Sequence, residues 1–102
     1  MYRASDRVAN EQWLAELEEA AASLDLAEAT SARGADLFLS SVPEDDRSKR
    51  PVLAASLYVA TLAEGERRSQ QAVADAVGVS RLSVQQRWKE LLEDAGLEPP
   101  GW

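Results

Sequence analysis

The feature that most constrains the fold is an apolar segment near the middle of the chain, residues 52–62, with the sequence VLAASLYVATL. Its apolar residues cover nearly every face of a helix. In a water-soluble protein, a helix of this kind is buried among other helices. The segment is well short of the roughly 20 residues that a bilayer span needs. It therefore predicts the central helix of a bundle.

Two amphipathic helices are predicted before the central one, at about Ser5–Leu24 and Leu26–Val42, the second of them ended by Pro43. In each, apolar residues recur at helical spacing and form a stripe along one side. The first stripe is Trp13, Leu14, Leu17, Ala21 and Leu24, and the second is Leu26, Ala29, Ala35, Phe38, Leu39 and Val42. Gly34 indicates close packing of a neighbouring helix. No useful length of chain alternates with a period of two, so strands are not expected.

Caps and breakers bound the helices of the second half. Ser48 is the predicted N-cap of the central helix, which places Pro51 in the first turn, where its missing N–H does no harm. Gly65 ends this helix. A short helix is expected at about Ser69–Val77 and a last one from Ser80 to about Ala95, before Gly96. The chain is thus predicted to form one all-α domain over residues 1–102, with an extended tail at 97–102.

The last two predicted helices have the spacing of a helix-turn-helix, which we place at residues 69–95. Residues 70–88 read QQAVADAVGVSRLSVQQRW. Ala74 is small where the second helix crosses closely, and Gly78 permits a positive φ in the turn. Ser69 and Ser80 are the expected N-caps. The apolar residues predicted to lie between the helices or to turn inward are Val73, Val77, Val79, Val84, Trp88, Leu91 and Ala95.

The polar residues of this pair point to DNA. Gln pairs bidentately with adenine and Arg with guanine, so the predicted base readers are Arg81, Gln85 and Gln86. Cations and a helix N-terminus can hold phosphates. The predicted contact residues on these grounds are Arg67, Arg68, Ser69, Gln70, Ser80, Arg81, Ser83, Gln85, Gln86 and Lys89. The alternative for the arginines is a solvated turn, and for the glutamines an ordinary exposed surface.

The charge distribution favours this segment as the DNA-binding part. The net charge is −7 for the whole chain and −8 for residues 1–46, but +3 from Glu66 to Lys89. An acidic protein therefore carries one locally basic segment. The high acid content, abundant Ala and only two Lys predict a salt-rich cytoplasm, that of a halophile. The N-terminus has no apolar stretch typical of a signal peptide, so a cytoplasmic protein is expected.

Two segments carry a resemblance to a known family. Residues 47–60, RSKRPVLAASLYVA, look like the third-helix signature of a cyclin-like repeat. Residues 78–91, GVSRLSVQQRWKEL, resemble the end of the second cyclin-like repeat in archaeal transcription initiation factor B, the counterpart of eukaryotic factor IIB. The similarity extends over about residues 10–97. It implies a five-helix cyclin-like repeat whose fourth and fifth helices form the helix-turn-helix.

In that family the helix-turn-helix reads the promoter element upstream of the TATA box, beside the TATA-binding protein. The resemblance adds Leu82 to the DNA-binding residues, because the family has a base-contacting apolar residue there. Ser83 matches a small hydroxyl residue, and Arg87 and Lys89 match basic positions. Gln85 departs from the family, which usually has an Arg that contacts guanine. This departure implies a preference for a different sequence.

The composition limits the other functions that we expect. The chain has no Cys and no His, which excludes disulfides, a zinc ribbon, thiolate nucleophiles and imidazole bases. No enzyme activity, cofactor, metal, membrane contact or small-molecule substrate is predicted. Without the ribbon, the polymerase-reaching linker and a first repeat, the chain resembles one isolated half of factor B. It is not expected to recruit polymerase in the family's full manner.

Two functions remain open from the sequence. The first is a transcription factor that binds double-stranded promoter DNA through the helix-turn-helix. The second is an acidic interaction adaptor that binds the TATA-binding protein or competes with full-length factor B. The target sequence, the sign of regulation and the oligomeric state do not follow from the residues.

Overall fold

A computed structural model describes residues 9–97. Five helices follow one another in this part of the chain, with no strand among them. They are α1 (Glu11–Ser23), α2 (Glu28–Ser40), α3 (Asp46–Ala63), α4 (Gln70–Val77) and α5 (Arg81–Asp94). The predicted helix start at Ser5 and the predicted tail beyond Leu97 lie outside the described residues. The all-α, five-helix architecture expected from the sequence is confirmed.

Helix α3 is the centre of the bundle and contacts each of the other four helices. Half of its residues are buried, and they are Leu53, Ala54, Ala55, Ser56, Leu57, Val59, Ala60, Thr61 and Leu62. Because apolar residues lie on several faces of α3, it joins two core clusters, one with α1, α2, α4 and the start of α5, and one with Leu37 of α2 and the second half of α5. The prediction of a buried central helix is confirmed. Within residues 9–97, no helix is long and apolar enough to cross a membrane.

The start of α3 differs from the prediction. Its N-cap is Asp45, whose carboxylate accepts the Arg47 N–H at 3.2 Å and the Ser48 hydroxyl at 2.9 Å. Ser48 therefore lies inside the first turn, and the prediction that it caps the helix is wrong. Pro51 is an interior residue of the helix rather than part of its first turn. Since proline has no N–H, the carbonyl of Arg47 lacks its usual partner four residues later.

Helix α2 is shorter than predicted at both ends. Asp25 has a φ of 56°, so the chain reverses after α1 and the helix begins at Glu28 rather than Leu26. Ala29 is exposed, and its predicted burial is wrong, because six residues before Ala35 it lies off the buried stripe. Leu26 and Val42 lie outside the helix and pack, partly buried, against the core. The rest of the predicted face is buried, namely Ala35, Phe38 and Leu39.

Helix α1 meets α2 and α3 at a close contact. Leu14, Leu17 and Ala21 are buried as predicted, with Trp13 and Leu24 partly buried beside them. A Cβ atom at Gly34 would lie 3.3 Å from Leu57 Cδ1 and 3.6 Å from Leu17 Cδ1. The predicted reason for this glycine, close packing of a neighbouring helix, is confirmed.

Candidate nucleic-acid interface

A short connection joins α4 to α5, and local hydrogen bonds fix it. Ser69 Oγ accepts the Ala72 N–H at 2.9 Å, and Ser80 Oγ accepts the Ser83 N–H at 3.2 Å. Both predicted N-caps are thus confirmed. Gly78 follows α4 with a φ of 91°, as predicted, and its N–H donates to the Ala74 carbonyl at 2.8 Å. This left-handed conformation favours glycine, so the turn depends on Gly78.

Small and β-branched apolar residues fill the space between the two helices. Val73, Ala74 and Val84 are fully buried, Val77 is buried, and Val79 is partly buried against the same core. These residues attach α4 and the start of α5 to the body of the protein. The prediction that they pack inward is confirmed.

The second half of α5 packs against α3. Trp88 is buried, as predicted, and its ring lies edge-on to that of Tyr58, with 5.6 Å between centroids. Leu91 and Leu92 are buried beside it. The sequence predicts that Ala95 continues this inward stripe, but Ala95 is exposed because the helix ends at Asp94. Leu92 occupies the inward position in its place.

The outer side of α5 carries the predicted base readers. The side chains exposed on it are Arg81, Leu82, Gln85, Gln86 and Lys89. Their spacing spreads them over about 140° of the helix circumference, next to the buried side that carries Val84 and Trp88. Leu82 is 55% exposed, which makes it the one exposed large hydrophobic residue among those the structure describes. Five predicted site residues therefore share one accessible surface, which we call the α5 outer face.

Two residues of the α5 outer face contact each other. Arg81 Nη1 donates to Gln85 Oε1 at 3.3 Å, across one turn of the helix. The bond orients the Gln85 amide so that its N–H₂ group remains as a donor. At the start of the helix, the Ser80 and Ser83 hydroxyls lie 3.1 Å apart. Ser80 and Ser83 together form the N-cap interaction of α5. Ser83 is partly buried.

Arg67 and Arg68 have different environments, although they are adjacent in the sequence. Arg67 is exposed, whereas the Arg68 guanidinium is directed at backbone carbonyls. It donates from Nε to Leu24 O at 3.0 Å and from Nη2 to Asp25 O at 3.3 Å. Its Nη1 reaches the carbonyls of Glu66 and Arg67 at 3.3 and 3.1 Å. Phosphate contact by Arg68 stays a prediction, and it requires the side chain to leave these carbonyls.

The other two predicted residues lie at the start of α4. Ser69 is exposed and serves as the cap already described. Gln70 is partly buried, and its Oε1 is a buried oxygen with no hydrogen-bond partner among the described residues. The two therefore lie near Arg67 and Arg68 rather than on the α5 outer face.

The Arg87 side chain points in a different direction from the side chains of the α5 outer face. Its Nη1 donates to the Ser83 carbonyl at 3.2 Å, and the side chain is partly buried. It lines a groove of about 410 Å³ together with residues of α2 and α3, among them Ser40 and Val52. Arg87 is thus directed away from the α5 outer face.

Sequence reasoning missed the residues that anchor α4 and its flanking turn. Arg50 donates to Glu16 on α1 and to the Val77 carbonyl at the end of α4, the latter at 3.2 Å. Its guanidinium also lies over the Trp13 ring, 5.2 Å from the centroid. Since Arg50 and Val77 are 27 residues apart, no local pattern could have indicated this contact.

Glu66 was also missed. Its carboxylate accepts the Thr30 hydroxyl and the Ala27 N–H, the latter at 2.9 Å, and so caps α2 from a distant part of the chain. These two bonds, in that order, lower the pKa of Glu66 below its ordinary 4.5, with a smaller effect from the Arg68 charge. Partial burial opposes them. The only local sequence signal near this cap is Gly-Glu-Arg-Arg at residues 65–68. By itself, this sequence favours an exposed turn whose arginines contact DNA.

Comparison with known proteins decides the family. Residues 15–94 match the family model described as "Transcription factor TFIIB repeat". The chain belongs to the TFIIB repeat family. Its cyclin-like all-α fold and its relation to archaeal transcription initiation factors, both expected from the sequence, are thereby confirmed.

Curated relatives agree over about half of the chain. A "Transcription initiation factor IIB" from Pyrococcus horikoshii is 43% identical over 54 residues, which are 53% of this chain and 18% of the relative. The protein of the same name from Archaeoglobus fulgidus is 46% identical over 52 residues, 51% of this chain and 16% of that one. The matched part therefore spans less than a fifth of the length of these curated relatives.

The α5 outer face lies within the TFIIB repeat, and its exposed groups determine what it can bind. Within the part of the chain that the structure describes, no group of three or more Asp, Glu, His or Cys side chains could hold a metal ion. The exposed groups of the α5 outer face are amides, a guanidinium, one lysine and one leucine, while the exposed carboxylates of the pair lie elsewhere, at Asp75, Glu90, Glu93 and Asp94. The groups of the α5 outer face can read base edges and hold phosphates.

Proposed function

We propose that this TFIIB-repeat protein is a DNA-binding transcription factor or regulator. In this proposal residues 1–102 form one domain and residues 69–95 act as a helix-turn-helix. Helix α5 enters the major groove of promoter DNA, and α4 crosses the backbone beside it. The relatives' printed name, a transcription initiation factor, supports the same assignment.

The observation that carries the proposal is the composition of the α5 outer face. Its exposed residues are two amides, two cations and a leucine, while the adjacent side of the helix, with Val84 and Trp88, is buried. A solvated helix in an acidic protein would be expected to expose carboxylates along its length. The carboxylates of α5 come only in its last turns, at Glu90, Glu93 and Asp94. The first two and a half turns are therefore free of negative charge.

The residues divide into readers and positioning contacts. Gln85 and Gln86 present amides that pair with adenine, Arg81 pairs with guanine, and Leu82 contacts a thymine methyl group. Arg67, Lys89 and the α5 N-terminus at Ser80 hold phosphates and set the register. Ser69, Gln70, Ser83 and Arg68 complete the proposed contact set. Each good bidentate pair discriminates against the wrong base by about 1–3 kcal/mol.

Charge and salt determine how this interface works. The whole chain has a net charge of −7, which suppresses nonspecific association with DNA. Phosphate affinity falls steeply with salt concentration, so in the salt-rich cytoplasm predicted from the composition the base contacts and protein partners must supply more of the binding. We therefore expect modest affinity for random DNA and a larger share of the free energy from sequence-specific contacts.

Selection of bound duplexes from a random library at several salt concentrations tests this proposal. An enriched sequence is expected, and titration with it shifts the amide resonances of residues 81–89. Gln85→Ala should lose the enrichment at one base, whereas Gln12→Ala, the same change at an exposed position of α1, should not. Failure to enrich any sequence, together with unchanged resonances at every salt concentration, would rule out the DNA-reading function.

An acidic adaptor remains the second candidate, and one observation favours it. The exposed side chains of α1 and α2 include Glu11, Glu18, Glu19, Glu28 and Asp36, which give this side of the protein a negative surface. A basic surface on the TATA-binding protein is the partner proposed for it. Capture of that protein without DNA, lost when Glu18 and Glu19 become Gln, supports the adaptor. Capture that depends on promoter DNA supports the first proposal.

A further inference from the structure

The connection between α3 and α4 forms a small pocket with α5. Tyr58, Arg67, Trp88 and Lys89 line it, and its volume is about 310 Å³. Two lining residues are aromatic and two are cationic, and none is a carboxylate. In a chain with 18 acidic residues and 11 basic ones, a pocket with only positive charge on its lining is a distinct site.

The walls of the pocket are fixed by packing. Trp88 is buried, and the Tyr58 ring meets it edge-on with 5.6 Å between centroids. The Lys89 ammonium lies over the Trp88 ring, 5.7 Å from its centroid. The ring attracts the ammonium and so holds the Lys89 charge at the edge of the pocket.

Arg67 is brought to the pocket by its neighbours. Glu66 is tied to Ala27 and Thr30, and Arg68 is tied to the carbonyls at the end of α1. Arg68 also donates to the carbonyl of Arg67 itself, at 3.1 Å. The backbone is therefore held on both sides of Arg67, although that residue is exposed. This arrangement lowers the entropy that Arg67 loses when it binds a ligand.

We propose that this pocket binds a single phosphate group of the DNA backbone, held jointly by Arg67 and Lys89, with the Tyr58 hydroxyl as an additional donor. The inference rests on the proposed DNA-binding function and specifies one contact of it. Lys89 is three residues beyond Gln86, the last of the base readers, and about 4.5 Å further along the helix, where we place the DNA backbone. Arg, Lys and Tyr are all side chains that donate to phosphate oxygens.

The salt dependence of DNA binding distinguishes one shared phosphate from two separate ones. The slope of log K against log salt concentration changes by about 0.9 for each phosphate neutralised. If Arg67 and Lys89 hold the same phosphate, the double variant Arg67→Gln/Lys89→Gln lowers the slope by about 0.9. If each residue holds its own phosphate, the double variant lowers it by about 1.8.

The experiment uses the full chain and a fluorescent duplex of random sequence, over a series of KCl concentrations. Lys49→Gln is the matched control, because Lys49 lies in a different pocket and pairs with Asp46 at 2.9 Å. We expect a slope loss near 0.9 for the double variant and none for the control. Tyr58→Phe should weaken binding about tenfold at low salt without changing the slope, because a charge-assisted hydrogen bond is lost.

Results that contradict the proposed function differ from results that contradict only the shared phosphate. A wild-type chain that binds neither the random duplex nor any selected duplex contradicts the proposed function itself. Binding with a slope loss near 1.8, or with no loss, leaves DNA binding intact and overturns the shared phosphate. The shared phosphate is also overturned if the double variant binds duplex normally but loses the TATA-binding protein, since the pocket would then take a carboxylate of a partner.

Discussion

The Nε atom of Arg68 donates to the Leu24 carbonyl at 3.0 Å, joining the start of α4 to the end of α1 across 44 residues of sequence. Arg50 makes a matching contact at the other end of α4, where it reaches the Val77 carbonyl. Helix α4 is only eight residues long, too short to be stable alone. The two arginines therefore fix both ends of the helix that supports α5.

The two adjacent arginines should separate stability from DNA binding. Arg68→Gln is expected to lower the free energy of unfolding by about 1–2 kcal/mol, because partly buried carbonyls lose a charged donor. Arg67→Gln removes the same charge from an exposed side chain and should change stability by less than about 0.5 kcal/mol. Urea titrations followed by circular dichroism measure both values. Equal losses in the two variants would show that the Arg68 contacts contribute no more to stability than the exposed Arg67 side chain does.

DNA binding should rank the two variants in the opposite order. Arg67→Gln is expected to weaken binding to random-sequence duplex, with little change in the salt slope while Lys89 still holds the shared phosphate, whereas Arg68→Gln, measured where it is fully folded, should have the smaller effect on affinity. A larger binding loss for Arg68→Gln would mean that this side chain leaves the carbonyls and holds a phosphate, as the sequence alone predicts.

The carboxylate of Glu66 makes stability depend on pH. Its pKa is lowered in the folded state by the Thr30 hydroxyl first and the Ala27 N–H second, so the folded protein holds the charged form more strongly than the unfolded chain. The resulting stabilisation is fully present above pH 4.5, the ordinary pKa of the group, and is lost as the pH falls through the lowered value. Acid therefore weakens the cap of α2.

Glu66→Gln provides the test. The variant should melt at a lower temperature than the wild type at neutral pH, and the gap between them should close as the pH falls from 4.5 through the lowered pKa, below which the wild-type group is neutral in the folded protein too. Glu19→Gln, at an exposed position of α1, serves as the control for loss of a charge. A gap that stays constant with pH would contradict a charge-dependent cap.

Features encoded within a few residues could be predicted from the sequence, and long-range contacts could not. The caps at Ser69 and Ser80 and the left-handed Gly78 follow from local chemistry. The predicted cap of α3 is wrong because Asp45 and Ser48 both suit that role, and only the geometry selects Asp45. The bond from Arg68 to Leu24 depends on how distant segments pack, which no residue pattern near Arg68 reveals.

Truncation to Ala should lower stability strongly at one residue of α5 and hardly at all at another, two positions away. Val84 is fully buried, so Val84→Ala should cost about 2 kcal/mol of stability through lost burial and a cavity. Leu82 is 55% exposed, so Leu82→Ala should leave stability within about 0.5 kcal/mol of the wild type. Thermal unfolding of the two variants checks these values.

The same pair tests the role of the α5 outer face. Leu82→Ala is expected to weaken binding to a selected duplex, because it removes an apolar contact to a thymine methyl group, while leaving the fold intact. If Leu82→Ala binds the selected duplex as tightly as the wild type, Leu82 lies outside the DNA interface. The surface would then need another explanation, beginning with the adaptor.

The final prediction concerns which base Gln85 selects. In the wild type, Arg81 Nη1 donates to Gln85 Oε1 at 3.3 Å, so the amide must exchange that bond to pair with the N6 and N7 atoms of an adenine. Gln85→Arg replaces the amide with a guanidinium that prefers the O6 and N7 atoms of guanine. It also places two arginines one turn apart and removes the acceptor of Arg81. We expect selected sequences to change from adenine to guanine at one position, with discrimination of about 1–3 kcal/mol.

Gln86→Arg is the comparison variant. It should change the preferred base at a different position, since the side chains of Gln85 and Gln86 differ by about 100° around the helix. Unchanged selected sequences for Gln85→Arg would place Gln85 away from the base edges and leave only the phosphate contacts to explain DNA binding.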